Sequence, residues 1–553
     1  MKKLYGFLIG CMALAGLSSC SEETFMENYI DPSVASSVSC DKLMNGIFYT
    51  GNTWLNPVYY RYYVQSTTSG AFSQIIGSTN SRQRYAGAGV GYFNTRWQNF
   101  YNLFTQYVLL KTTYEELSED EQDDNKVFYI IGRSVMQQQL SEVLSLWGDV
   151  PYSEAGTLWY TGSIDASKPA YDDDVDIYES ILDDLDEANT YLGSVSLSSV
   201  ASSALTVQDY VCGGDVELWQ RYVNSLRLRI AIHLATNGDL TSTAQSAIAT
   251  MLNNPSTYPM VESYDQMPTV QADTEDFQFA SDLQSAIENS SYNRASGAIL
   301  RALGVADDGT YEDADPRLEI LYDSNWNDEY IGLDPTEDVS DQETNMNLQG
   351  TDSETGNVIG NGKYYAAVDT ATFTRNSSLF GVWMTAAEVA FSKAEAYAMG
   401  YGVSKNLTTA KEYFIEGMKL STEFYFNLNS TATYRTPADA PDDDVVEAYA
   451  ESQWDADNAQ ECIITQKWLN FFIYNELEAW NCVRRTGYPS LQFKYDSSST
   501  AYPIVPERLI YPSDETQYNA DNYNAATSNG TTDTYYTQLF WMADTWYSTL
   551  EDD

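Results

Sequence analysis

Histidine occurs once in the 553 residues, at His233. That scarcity removes most zinc and haem sites, and any Ser-His-Asp constellation would have to use this one residue. Basic residues are also few. Lysine and arginine total 29 against 79 aspartates and glutamates, a net charge of −50. Nucleic-acid affinity comes mostly from neutralising phosphates, so DNA and RNA are excluded as partners. Anionic lipid headgroups are repelled in the same way over a Debye length. No apolar run approaches 18 residues, so no transmembrane helix is expected. The chain has no C-x-x-C pair, no P-loop, no dinucleotide fingerprint and no EF-hand loop with its closing glutamate.

What remains is abundant in one respect. Tyrosine occurs 44 times and tryptophan 12 times. A tyrosine ring offers a flat apolar face and a polar tip, a combination suited to wet binding surfaces. Hydrophobic residues make up 43%, enough for a large core.

The N-terminus reads as an address. Lys2 and Lys3 precede an apolar stretch over 4–16, the length of a signal-peptide core and too short to span a bilayer. Leu17-Ser18-Ser19-Cys20 resembles a bacterial lipobox, which predicts a signal peptide over 1–19 and lipidation of Cys20. Ser21-Glu22-Glu23 resembles the surface-export signal of Bacteroidetes lipoproteins. Residues 20–38 then form a tether, and 39–553 a single domain. The membrane is reached by a lipid, which anchors without spanning. Beyond Cys11 and Cys20, four cysteines remain: Cys40, Cys212, Cys462 and Cys482. They allow three full pairings. Cys462 and Cys482 flank one helical run, which if continuous holds them about 30 Å apart. Buried free thiols are the expectation.

Apolar residues recur with helical spacing. Ile177, Ile181, Leu185, Ala188 and Leu192 line one face over 176–193. Trp219, Tyr222, Leu226 and Ile230 form a second stripe. Phe380, Met384, Ala387, Phe391, Ala394 and Ala398 form a third, stopped by Gly400. Leu407, Ala410, Phe414 and Gly417 form a fourth, and Ile464, Trp468 and Phe471 a fifth. A sixth helix is expected over 127–147, ended by Gly148 and Pro151. The hairpin over 386–420 is close to the tetratricopeptide period of about 34 residues. Two long inserts, 66–95 and 322–374, are rich in Gly, Ser, Asn, Thr and Asp and lack helical periodicity. Segments of that kind commonly carry binding.

Several phrases resemble one family. Leu146-Trp147-Gly148-Asp149-Val150-Pro151-Tyr152 is similar to the GDvPY turn of SusD/RagB-like outer-membrane lipoproteins. Gly213-Gly214-Asp215, Trp219 and Tyr222 through Arg229 resemble their NSLRlR helix. Asp315-Pro316-Arg317-Leu318, Ala387-Glu388-Val389 and Ala394-Glu395-Ala396 match further elements. So do Gln466-Lys467-Trp468, Glu478-Ala479-Trp480, Arg484 to Pro489 and Arg508 to Pro512, with Asn522-Tyr523-Asn524 beyond. The matches run in order from 146 to 524. The resemblance implies an all-α body of about four tetratricopeptide-like helix pairs with long decorating loops. It implies a surface lipoprotein of the outer membrane that binds a glycan and delivers it to a SusC-like TonB-dependent transporter. It supplies no catalytic centre and no cofactor. Arg227, Arg484 and Arg485 fall in the matching phrases and are expected to satisfy helix carbonyls and carboxylates.

Ligand contacts must then come from the loops. An aromatic ring buries the C–H face of a sugar while amides, carboxylates and guanidinium groups bond its hydroxyl rim. The candidates are Trp54, outside any helical pattern, with Arg82, Arg84, Tyr85 and Tyr92 of the first insert, beside Asn80 and Gln83. Trp326, Asn327, Tyr330 and Tyr364, the last beside Tyr365, come from the second. Asp307-Asp308-Gly309 offers oxygen ligands for a structural calcium ion. His233 lies on a core helix and reads as a packed residue. Two other classes compete: a peptide- or protein-binding lipoprotein of the same family type, and a lipid-anchored glycoside hydrolase. The hydrolase needs two carboxylates at a set separation, and among 79 acids a pair decides nothing. The acidic balance favours neutral glycans over sulfated or uronic ones.

Overall fold

Residues 38–77, 84–85, 90–273, 275–289, 293–351, 356–359, 363–497 and 499–550 are described by a computed structural model. Lys2, Lys3, Cys20 and the rest of the N-terminal address lie outside the described residues, as do Asn80, Arg82 and Gln83.

Helices build the body. Cys40–Leu55 buries Leu43, Met44, Ile47 and Phe48, a stripe of helical period. It packs between Val90–Glu115 and Glu119–Trp147. The latter begins eight residues earlier than its apolar pattern (127–147) indicates. Its first turn is Glu119-Asp120-Glu121, favoured at the positive helix end, and the Ser118 N–H donates to Glu121 Oε2 at 3.1 Å. It ends at Gly148, whose φ of +79° suits glycine.

Asp174–Leu192 lies against Val216–Leu234. Asp173 caps the first by accepting the Val175 N–H, and Asp215 caps the second by accepting from Glu217 and Leu218. Ala386–Met399 and Leu407–Ser430 form the expected hairpin, closed by Gly400 at φ +80°. Ala459–Phe471 and Glu476–Thr486 form the last pair. The successive pairs pack around a large apolar cluster that runs from Cys40 to Trp546, and a smaller cluster with Phe391, Phe414 and Ile463 lies inside the Ala386–Met399 and Leu407–Ser430 hairpin and the start of Ala459–Phe471. The fold is the all-α, tetratricopeptide-like array anticipated from the sequence.

Five local expectations change. The third stripe does not start in a helix. Gly381–Val382 pairs antiparallel with Thr269–Val270, and Thr385 caps the helix behind it, so Phe380 and Met384 reach the core from a strand and turn. The run from Cys462 to Cys482 is broken at Phe472 (φ +37°), where the chain reverses before Asn475 caps the next helix. All four cysteines in the described residues are free, but only Cys40, Cys212 and Cys482 are buried. The first insert is partly helical, because Tyr59–Thr67 and Ser69–Phe72 enter it. The second holds the helix Val339–Met346 and is pinned by short ladders: Tyr322–Asp323 with Ala367–Val368, and Gly350–Thr351 with Val358–Ile359.

The family-like phrases lie inside the body. Arg229 reaches Glu388 at 2.6 Å, and Arg485 reaches Glu395 at 2.9 Å. Arg227 donates to the Leu182 carbonyl and to Asp186. Arg484 donates to the carbonyls of Ser145 and Glu507 while stacking on Trp480 at 3.6 Å. His233 is buried with its ring 3.9 Å from that of Trp541. Burial, with Arg485 and Arg484 nearby, pushes its pKa well below the usual imidazole range. No helix among the described residues is long and apolar enough to cross a membrane.

Candidate functional site

Two adjoining cavities open in the second insert. The larger, about 580 Å³, lies between the short helix Gly297–Ala302, the 305–308 turn and residues 329–337, with Tyr364 on its wall. The smaller, about 400 Å³, is bounded by Tyr322, Asp323, Asn325, Trp326, Lys363 and Arg435. Tyr330 lines both. Its ring is buried edge-on against Tyr311 at 5.2 Å, and burial raises the pKa of its hydroxyl. It forms the floor of the shared groove.

Trp326 and Tyr364 are half-buried, with ring centres 6.1 Å apart and planes inclined at 50°. One face of the indole rests on Gly350, where a Cβ would come within 2.1 Å of the ring. Only a residue without a side chain permits that seat. Asn327 is exposed at the rim, its backbone N–H donating to Asn325 Oδ1 at 2.8 Å and its amide to Glu329 at 3.3 Å. Thus Trp326, Asn327, Tyr330 and Tyr364 are brought into one neighbourhood.

The walls are held by a polar frame. Tyr365 donates to Glu337 at 3.1 Å, and burial raises the pKa of that carboxylate. Arg435 bonds both Asp323 and Asp369. Asp369 is raised to about 6, by burial first and then by Asp323, with Arg435 opposing. Arg301 lies 3.2 Å from Asp307.

The first insert contributes differently. Trp54 is not a loop residue. It occupies the last turn of Cys40–Leu55, which runs to the Asn56 cap, and it is 3% exposed under the Arg96 guanidinium at 4.8 Å. Its ring has no face to offer, so the platform role is corrected to a core one. Tyr85 is likewise buried. Its hydroxyl donates to the Lys494 carbonyl at 2.6 Å and pins the insert to the body. Arg84 donates to the carbonyls of Pro335 and Glu337, tying the first insert to the wall of the groove. Tyr92 lies in Val90–Glu115, half-buried against Tyr63 at 4.9 Å. Arg82 lies outside the described residues.

Sequence reasoning missed Arg301, Glu337, Gly350 and Arg435. Arg435 had a usable signal: in so acidic a chain, a cation in a polar segment between helices is informative.

Of Asp307-Asp308-Gly309, the two aspartates line the larger cavity, but Asp308 is engaged by the Thr310 N–H at 3.1 Å and hydroxyl at 2.6 Å. Among the described residues, the carboxylates placed to share a cation are Asp149, Asp173 and Asp174, with oxygens within 4.8 Å of one another. They sit at the start of Asp174–Leu192, where Asp149 accepts the Asp174 N–H at 3.0 Å. That bond caps the helix. Burial, then Asp149 and Asp173, raises Asp174 to about 8.

The stacked helical body with a loop-built groove is a helical-repeat architecture. Residues 35–512 match the model of the SusD-like family, described as starch-binding and associating with the outer membrane. The chain belongs to that family. Solved structures agree on the fold. A chitin-binding protein superposes with a TM-score of 0.69 at 22% identity, covering 91% of this chain and 100% of its own. A SusD homologue from Parabacteroides distasonis gives 0.67 at 18% identity, covering 92% and 98%. One from Bacteroides thetaiotaomicron gives 0.62 at 20%, covering 92% and 100%. No curated protein sequence matches the chain.

Proposed function

We propose that the chain is a cell-surface lipoprotein that binds a glycan in this groove and passes it to a SusC-like TonB-dependent transporter. The observation that carries the reading is the pairing of Trp326, on the smaller polar-walled cavity, with Tyr364, on the larger one beside it. Half-exposed rings can cover the C–H face of a sugar, and Asn327, Lys363 and the cavity carboxylates can bond its hydroxyls. Membership of a starch-binding, outer-membrane family supports both the ligand class and the location. The lipobox-like Cys20 supplies the anchor, and 39–553 acts as one binding unit, with its largest core cluster extending from Cys40 to Trp546. No catalytic step and no cofactor enter this reading.

The test is native affinity electrophoresis of the protein lacking 1–19 and carrying Cys20→Ala, through gels containing a panel of plant, host and microbial polysaccharides. Retardation in one or two gels, lost in Trp326→Ala, is the expected result. Migration unchanged in every gel would remove the glycan reading for the isolated protein. The purified transporter pair would then be measured against the same panel and against peptides.

A further inference from the structure

Arginine plays two parts in this chain. In the body its guanidinium group is fully engaged. Arg317 donates through Nε, Nη1 and Nη2 to Asp315, Ser421 and Gln466, and Arg485 through Nη1 and Nη2 to Thr236 and Glu395. Those side chains are 1% and 2% exposed. Arg435 differs. Its side chain is 49% exposed on the wall of the smaller cavity. Both of its carboxylate partners are reached through Nη2 alone: Asp323 Oδ1 at 2.5 Å, and Asp369 Oδ2. Its Nε and Nη1 have no partner among the described residues.

The two carboxylates fix where the guanidinium sits. Asp323 is itself held, its Oδ2 accepting the Thr370 N–H at 3.0 Å and hydroxyl at 2.6 Å. Asp369 accepts the Thr372 N–H at 2.5 Å. A planar donor group anchored at one nitrogen loses little freedom when its other nitrogens bond a ligand. Trp326 lines the same cavity, so the C–H face and the hydroxyl rim of one sugar ring both meet complementary groups there. Charge selects the acceptor. Glu319 and Asp323 balance Lys363 and Arg435 on the wall, and Asp369 adds one negative charge behind them. That balance favours a neutral hydroxyl over a carboxylate.

We propose that the smaller cavity is the subsite that reads hydroxyl groups: a neutral sugar unit lies on Trp326, and Arg435 donates to its hydroxyls through Nη1 and Nε. This rests on the glycan-binding reading above and names a specificity-determining residue and the charge class of the sugar it reads.

Arg435→Lys separates this role from a purely structural one. A lysine nitrogen can take the place of Nη2 and keep Asp323 and Asp369 neutralised, but it lacks the Nε and Nη1 donors. Arg435→Met removes both functions. The protein lacking 1–19 and carrying Cys20→Ala is run through gels of amylopectin, mixed-linkage β-glucan, arabinoxylan, galactomannan, glycol chitin and polygalacturonate. Each variant is run below its own melting temperature, so that a loss of affinity is not a loss of fold. Affinity for a neutral polysaccharide is expected to fall about tenfold in both variants, as losing a charge-assisted hydrogen bond would give, while Arg435→Lys melts with the wild type. Wild-type affinity in Arg435→Lys would show that Arg435 only neutralises its carboxylates, and the proposal falls. Retardation by polygalacturonate alone would overturn the neutral-sugar assignment. Retardation that needs Trp326 but not Arg435 sinks this proposal and leaves the glycan reading standing. No retardation of the wild type in any gel sinks both.

Discussion

Arg229 and Glu388 meet where the Val216–Leu234 and Ala386–Met399 helices pack. The Arg229 Nη2 lies 2.6 Å from Glu388 Oε2, and the side chains are 6% and 3% exposed. The second guanidinium contact, through Nε, makes the pair bidentate. Removing one partner leaves a buried charge without compensation. Glu388→Gln is therefore expected to destabilise the protein by roughly 3–5 kcal/mol. Replacing both, as Arg229→Met with Glu388→Leu, should cost much less. Urea denaturation of the three variants checks this, and equal losses in the single and double variants would contradict it.

Asp174 gives a stability-versus-pH signature. Its carboxyl is raised from 3.8 to about 8, by burial and then by Asp149 and Asp173, with Arg508 opposing. The folded state thus holds a proton that the unfolded chain releases near pH 4. A group raised in this direction contributes most stability below pH 4, and the contribution is lost as pH rises to 8. Asp174→Asn removes the group, so the variant should gain on the wild type across that window, by of order 1–3 kcal/mol at pH 8. Melting curves at pH 5 and pH 8 decide it. A difference that does not change with pH would rule the assignment out.

Much of the body could be read from residues alone, because capping and periodicity are local. The Gly400 stop lies where the pattern put it. The apolar pattern falls short of the Glu119 start because the first two turns of Glu119–Trp147 carry acids instead of apolar residues; only the Ser118–Glu121 capping box marks it. Trp54 differs from its sequence pattern for the opposite reason. Asn56-Pro57 is a strong turn signal, and it hid a helix that ends just before it. The aromatics of the second insert were legible as loop residues. The groove they line was not, because its frame is long-range: Arg84 to Glu337, and Arg435 to Asp323 and Asp369. No spacing in the sequence encodes those contacts.

Gly350 sets the position of Trp326. A methyl group there would come within 2.1 Å of the indole, and the Gly350–Thr351 ladder leaves the backbone little room to retreat. Gly350→Ala should swing the ring off its seat, at a stability cost of about 1–3 kcal/mol. Glycan affinity should fall as far as in Trp326→Ala, with a shift in tryptophan emission. Unaltered affinity would show that the indole is not part of the platform.

Trp54 and Trp326 are both tryptophans in polar sequence surroundings, and their burial assigns them opposite roles. Trp54 is 3% exposed in the main core, under Arg96. Truncating it removes a large buried ring, so Trp54→Ala should cost about 3–5 kcal/mol. The fraction that remains folded should still bind glycan with unchanged affinity. Trp326 is half-buried at the groove mouth and rests on a glycine, so Trp326→Ala should cost far less stability and most of the binding. Thermal melts paired with affinity electrophoresis separate the two effects. Binding lost in Trp54→Ala at a temperature where it is fully folded would return that residue to the ligand site and move the platform to the first insert.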